Sequence, residues 1–256
     1  MFGARRRVIG LDLGGATVKL AHVGFGKGGP ELLGAAVVGL PGGAFDESGV
    51  ADAELVAGCI REAIAEAKVH GTRRVVAGIP GRHLTARLLT VPAMGHAELQ
   101  EAVKWEAAAY LPYPVEEGYF DCLELGPGNG PGTLEVLALS ARRSIVDKVS
   151  RAIQLADLDP IALDAVPLAL GRVFLSKEAA SDAKEATAIA DVGAVNTEVS
   201  VFLRGQLRVS RSIPIGGAKF TAAVAEALDL GTDEADRLKL AEGIANQALA
   251  SVAEEL

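Results

Sequence analysis

Short apolar runs rich in β-formers alternate with longer stretches of helical spacing along this chain. Val8-Ile9-Gly10-Leu11-Asp12-Leu13 is the first such run; it stops at Gly14-Gly15, and Val18 to Val23 follows almost at once. The pair predicts a β-hairpin whose turn carries an acid and two glycines. Residues Ala53 to Val69 place Leu55, Cys59, Ile60, Ala63, Ile64 and Ala67 on one stripe, the period of an amphipathic helix. Val75 to Ile79 predicts a buried strand ending at Pro80-Gly81.

The texture then changes. Leu84 to Val91 predicts a strand, and His96 to Leu111 a helix closed by Pro112-Tyr113-Pro114. In that helix Trp105 is expected in the core with Leu99 and Val103. Tyr119 to Leu125 and Thr133 to Ala141 predict two more strands around the loop Gly126 to Gly132. Ser144 to Ala156 is a second amphipathic helix. A strand at Pro160 to Asp164 and a helix at Ala165 to Leu175 return to the first layer. The charged, Ala-rich stretch Ser176 to Glu185 suits a crossing between domains. Thr187 to Leu203 predicts a second hairpin and Leu207 to Ile215 its third strand. Gly216-Gly217 opens a helix to about Leu230, and Thr232 or Asp233 is expected to cap another. A last helix is expected over Ala248 to Leu256.

Composition narrows the function classes. The chain has 256 residues, half of them hydrophobic, enough for one large core or two modest ones. A net charge of -8 with no basic face argues against nucleic acid as partner. No apolar run approaches the roughly 18 residues that cross a bilayer, and the Arg5-Arg6-Arg7 trio lacks the apolar segment of a signal peptide. Cys59 and Cys122 read as reduced core thiols of a cytosolic protein, and the four scattered histidines do not suggest a metal site.

The two hairpins share a plan that carries chemistry. Ile9 to Val18 and Ile189 to Glu198 each deliver an Asp, then one residue, then Gly, then a small or polar turn, then another strand. Glycine lets backbone approach a phosphate without a Cβ in the way, and successive N–H groups in such a turn form an anion-binding concavity. Thr17, Thr197 and Asn196 add donors, and Lys19 can offset phosphate charge. Asp12 and Asp191 would repel phosphate directly; they make sense if Mg²⁺ and its waters lie between. A D-x-G after a strand is, taken singly, an ordinary tight turn; the matched pair in a two-domain chain is what points to a clamp. By contrast, Gly24-Phe25-Gly26-Lys27-Gly28-Gly29 lacks the hydroxyl residue after lysine of a phosphate-binding P-loop and reads as a flexible hairpin turn.

These residues resemble the phosphate motifs of the actin, sugar-kinase and heat-shock-ATPase superfamily. Ile213-Pro214-Ile215-Gly216-Gly217 resembles the helix start that follows the second motif, where a helix N-terminus would favour phosphate. Val103-Lys104-Trp105-Glu106 through Tyr110-Leu111-Pro112-Tyr113-Pro114 resembles the signature of the PilM family of type IV pilus assembly. That resemblance implies an α/β fold, two-lobed and actin-like (ribonuclease H-like), with an inserted α+β subdomain of the 1C/SHS2 type shared with FtsA. The implied organisation is a first domain over 1–81, the insertion over 82–157, a return and crossing over 158–185, and a second domain over 186–256. Family members continue beyond this point, so the second lobe is expected to be incomplete.

What the resemblance implies for function follows residue by residue. Asp12, Gly14, Gly15, Ala16, Thr17 and Lys19 match the first phosphate turn. Asp191, Gly193, Asn196 and Thr197 match the second, Gly216 and Gly217 the following pair, and Asp236 and Lys239 the ribose contacts. The cofactor would be ATP or ADP with Mg²⁺, the metal held by Asp12 and Asp191 through water; no catalytic residue is assigned, and hydrolysis would be weak at most. The partner would be the N-terminal peptide of PilN, lying between the first domain and the insertion, its rim drawn from strand Leu84–Val91 and the Trp105–Pro114 region. Trp105, Tyr110 and Tyr113 are either its aromatic anchors or subdomain core, the core being the reading favoured for Trp105. Other proteins of the inner-membrane platform would follow, membrane association would be indirect from the cytoplasm, and a homo-oligomer is compatible with it. Two alternatives from the same superfamily are a small-molecule kinase, for which no carboxylate stands in an obvious acceptor loop, and an FtsA-like filament protein.

Overall fold

In a computed structural model of the chain, residues 6–46, 48–175 and 186–243 are described. β1 (Arg6–Leu13), β2 (Thr17–Gly26) and β3 (Gly29–Gly39) form an antiparallel meander. A small ribbon, β4 (Phe45–Asp46) with β5 (Gly49–Val50), leads into helix α1 (Ala53–Glu66). Asp52 caps that helix, its carboxylate accepting from the N–H groups of Glu54 and Leu55. β6 (Arg74–Ile79) then lies parallel to β1. The chain leaves this sheet to form β7 (Leu84–Pro92), α2 (His96–Ala108), β8 (Gly118–Pro127) and β9 (Thr133–Arg142). It returns through α3 (Arg143–Leu155) to β10 (Asp159–Ala165), parallel to β6, and α4 (Val166–Phe174). Among the described residues the first sheet therefore runs β10-β6-β1-β2-β3.

Strand alternation and helix periodicity build the core of this sheet. Ile9, Leu11 and Leu13 of β1 and Val18 and Leu20 of β2 face Val56 and Ile60 of α1 and Val149 and Ile153 of α3. Each fully buried side chain of this size contributes about 1.5–3 kcal/mol. The sequence pattern did not show β3. Its burial alternates only at its far end, and five of its eleven residues are glycine or alanine, three of them in a row at Gly34, Ala35 and Ala36. The Gly24–Gly29 segment does hold the expected hairpin turn, but a short one: β2 continues through Gly26, β3 begins at Gly29, and Lys27-Gly28 alone make the bend.

The excursion between β6 and β10 makes its own antiparallel sheet, ordered β7-β9-β8. Its central strand is buried on both faces. Val136 and Ala138 point to α2, packing with Leu99, Val103 and Ala107, while Leu137 points the other way, to Phe202 and Leu207. Trp105 is not in this core, contrary to the expectation from its helix: it is 61% exposed. Leu99, Val103 and Ala107 recur every four residues, and two residues past Val103 is about 200° round the helix. Lys104 instead covers the Trp105 ring.

A further antiparallel meander joins β11 (Ala186–Val192), β12 (Thr197–Leu203) and β13 (Gln206–Ile213). Two helices follow, Gly217–Leu228 and Thr232–Glu242, packed on each other through Val224 and Ala235. Neither Thr232 nor Asp233 caps the second; Gly231 holds that position, accepting from the N–H of Ala235. The expected crossing at Ser176–Glu185 and helix at Ala248–Leu256 lie outside the described residues. Gln206 Nε2 donates to Leu125 O at 2.7 Å and Arg208 Nη1 to Glu135 Oε2 at 2.7 Å, so this meander is also tied to the inserted sheet by polar contacts.

One buried group opposes the fold. His22 on β2 is fully buried, and neither ring nitrogen has a hydrogen-bond partner. Burial, with His70 and Arg7 nearby, lowers its pKa below the usual 6.5. The folded chain holds it neutral while the unfolded chain takes up a proton below that pH, so its contribution to stability falls as pH drops through 6.5. His83 acts in the same sense, its pKa lowered to about 4 by burial and by Arg82. His22→Leu should raise the thermal midpoint at pH 7 and flatten the acid-side decline; calorimetry between pH 7 and pH 4 checks both.

Candidate functional site

The two repeated hairpins are built alike. In the first, Asp12 pairs in register with Lys19 and Leu13 with Val18, and the turn closes through Gly14 N–H donating to Thr17 O at 3.0 Å. In the second, Asp191 pairs with Glu198 and Val192 with Thr197, and Gly193 N–H donates to Asn196 O at 2.9 Å. The residue facing the acid differs. Lys19 Nζ bonds Asp12 Oδ2 at 2.8 Å, both side chains about half exposed, whereas Glu198 is buried and turned elsewhere.

The tips of the two turns meet. A Cβ on Gly15 would lie 2.9 Å from Val195 Cγ2, and together the turns line a crevice of about 240 Å³. Nine of the residues singled out from the sequence line it: Asp12, Gly14, Gly15, Ala16, Thr17 and Lys19 from one side, Asp191, Gly193 and Asn196 from the other. Glycine, hydroxyl, amide and ammonium groups thus converge on one small space, with carboxylates at its edge.

Five expected residues lie behind the second turn instead. Gly217 N–H donates to Gly193 O at 2.9 Å and Ala218 N–H to Ala194 O at 2.8 Å, so the start of this helix is spent on holding the turn. Gly216 allows that approach: a Cβ there would sit 2.6 Å from Gly193 O and 2.7 Å from the Ala194 carbonyl carbon. Thr197 Oγ1 donates to Ile215 O at 2.7 Å rather than into the crevice. Lys239 Nζ donates to Asp236 Oδ1 and Thr221 Oγ1, each at 2.6 Å, bracing the two helices against one another. The Lys239 and Thr221 bonds hold the Asp236 carboxyl below its ordinary pKa.

The crevice also takes in Pro80, Arg82 and Val166, which lie outside the motifs, and Val195 and Glu198, which lie in the second motif but carried no expected role. Pro80 and Val166 directly follow the parallel strands β6 and β10, and Leu13 ends β1. Ligand sites of parallel α/β sheets gather at the carboxyl ends of their strands. That rule reaches Arg82 once β6 is known to run parallel to β1 and β10, an order the sequence pattern does not carry. Among the described residues no three His, Cys, Asp or Glu side chains gather as they would around a metal held by protein alone.

Gly216→Ala should destabilise the chain by about 1–3 kcal/mol, because the clash is with backbone rather than with a mobile side chain. Gly231→Ala, at a helix N-cap with nothing within 4 Å of the added carbon, should cost less, about 0.5–1 kcal/mol from the weaker N-cap preference of alanine. Urea denaturation of the pair checks the difference.

Comparison with known proteins agrees with this geometry. The solved PilM–PilN type IV pilus biogenesis complex contains a chain that superposes with a TM-score of 0.86 at 30% identity, over 98% of this chain and 74% of that one. The ethanolamine utilization protein EutJ from Carboxydothermus hydrogenoformans shares the fold, with a TM-score of 0.61 at 15% identity, over 98% of this chain and 67% of EutJ. The cell division protein FtsA of Bacillus subtilis (strain 168) is 29% identical over 106 residues, which is 41% of this chain but only 23% of FtsA. The fold is thus the α/β actin-like fold. The family described as type IV pilus assembly protein PilM matches residues 10–254, and the chain belongs to it.

Proposed function

We propose that the chain binds ATP or ADP with Mg²⁺ in the crevice and serves as a nucleotide-dependent scaffold of the type IV pilus inner-membrane platform, recruiting the N-terminal peptide of PilN from the cytoplasmic side. The observation that carries the nucleotide assignment is the convergence of two identically closed glycine turns on one crevice. The residues fit the cofactor. Gly14, Gly15 and Gly193 leave room for phosphate oxygens at the backbone. Lys19 and Arg82 supply positive charge, and Asp12 and Asp191, both exposed, would hold the Mg²⁺ through its waters. The metal would neutralise phosphate charge; Asp12 would then exchange its bond to Lys19 for the hydrated ion and release Lys19 to the anion. Thr197, Gly216, Gly217, Asp236 and Lys239 would support this site from behind the turn.

The peptide assignment rests on family membership and on the junction between the first sheet and the insertion, taken as residues 82–157. Two cavities flank Leu84 there. One, of about 290 Å³, has apolar walls that include Ile79, Phe120, Leu123, Leu139 and Leu168. The other, of about 390 Å³, includes Thr85, Pro112, Tyr113 and Ser144 and takes in the charged side chains of Arg82, Arg142 and Lys148. Tyr113 is a wall of it, its hydroxyl 2.9 Å from Ser140 Oγ and its ring under Arg142. Tyr110 is exposed beneath Arg87. Apolar peptide side chains would enter the first cavity.

Asp12→Ala should weaken binding of a fluorescent ATP analogue about tenfold or more in the presence of Mg²⁺. It should leave the unfolding midpoint nearly unchanged, since an exposed ion pair contributes at most about 1 kcal/mol. Equal affinity in the two chains would sink the assignment. Leu123→Arg, at a partly exposed position, should abolish capture of a labelled PilN N-terminal peptide while leaving circular dichroism unaltered.

A further inference from the structure

Arg82 stands in two cavities at once. It lines the crevice between the glycine turns, and with His83, Leu84 and Thr85 it lines the groove beside the inserted sheet. Its position is set by Glu198. Glu198 Oε2 accepts from Gly81 N–H and Glu198 Oε1 from Arg82 N–H, both at 2.7 Å. Glu198 is 6% exposed, and a Cβ on Gly81 would collide with its carboxylate. A buried carboxylate satisfied by two N–H groups is a strong, short contact. It joins the second turn to the first residues of the insertion.

The side chain of Arg82 is only partly committed. Its Nε donates to His83 Nε2 at 3.0 Å. Burial lowers its pKa, and the nearby acids Glu198 and Asp12 offset that only in part. Glu198 is occupied by the backbone and Asp12 by Lys19. A guanidinium with Nε engaged still presents Nη1 and Nη2, the pair that binds a phosphate in bidentate fashion. Because the Arg82 backbone is clamped, any movement of the guanidinium toward an anion acts on His83 rather than being absorbed by the chain.

We propose that Arg82 is a phosphate-contacting residue of the crevice and the link by which bound nucleotide alters the groove beside the insertion. The proposal rests on the nucleotide assignment above. Arg82 binds the terminal phosphate, its bond to His83 lengthens or breaks, and the groove wall at residues 83–85 shifts. Nucleotide thereby selects among groove conformations, by as much as its affinity differs between them.

The test uses the full chain carrying Thr85→Cys labelled with an environment-sensitive dye; both native cysteines are buried. Affinities for ATP, ADP and AMP are measured together with the dye response, in the parent and in Arg82→Ala and Arg82→Lys. Arg82→Ala should lose about 10- to 100-fold in ATP affinity, the scale of a charge-assisted contact, with little change for AMP, and should lose the dye response. Arg82→Lys should retain most of the affinity but not the dye response, since an ammonium cannot reproduce the fork between phosphate and His83. Equal ATP affinity in the parent and Arg82→Ala overturns the phosphate contact. An unaltered dye response in Arg82→Ala at saturating ATP overturns the link. Absence of nucleotide binding by the parent overturns the nucleotide assignment and this proposal with it.

Discussion

A buried carboxylate needs partners, and Glu198 finds them across the junction between the two lobes. Left without hydrogen bonds, such a charge would cost several kcal/mol. That cost fixes the start of β12 against the end of β6, and with it the separation of the two glycine turns. The crevice has the width it has because this contact cannot lengthen without exposing or orphaning a charge. Apolar packing reinforces it: Phe202 and Leu207 lie against Leu137 of the inserted sheet, and Leu168 of α4 joins them. The insertion is therefore a structural bridge between the meanders, as well as a wall of the proposed peptide groove.

The repeated hairpins are alike in backbone and unlike in surroundings. The first has the parallel strand β6 beside it and β10 beyond, whose ends bring Pro80 and Val166 to the crevice. The second is backed by a helix start, which ties up its carbonyls at Gly193 and Ala194. The side chain opposite each acid diverges accordingly. Lysine at position 19 stays at the crevice beside Asp12, and glutamate at position 198 turns away to hold the insertion. One hairpin plan thus supplies an ion pair in one copy and a clamp between lobes in the other.

The motifs legible in the sequence were those that depend on local spacing. The Asp-x-Gly turns place nine expected residues around one crevice. α3 follows the helical period, and α1 buries Cys59, Ile60 and Ala63 of its predicted stripe but leaves Leu55 exposed and buries Val56 and Ala57 instead. What sequence missed depends on tertiary partners. Thr197 has the right hydroxyl, but the Ile215 carbonyl lies nearer its reach than the crevice does. Gly216 and Gly217 look like a phosphate-binding helix start, yet their neighbour is the turn's own backbone. Trp105 was misplaced by residue type, because hydrophobicity alone does not say which side of α2 faces the sheet. β3 escaped because small residues leave a weak two-residue period. Arg82 is a lone cation after a turn, and only the parallel order of β1, β6 and β10 gives it meaning.

The central claim is that both turns grip one anion together. Hydrogen–deuterium exchange, read at single-residue resolution by NMR with and without saturating MgATP, tests it most directly. Slowed exchange over residues 14–17 and residues 193–196 at the same nucleotide concentration, and absent with adenosine, is the predicted result. Protection of one turn alone, or of neither while nucleotide is bound, would contradict it.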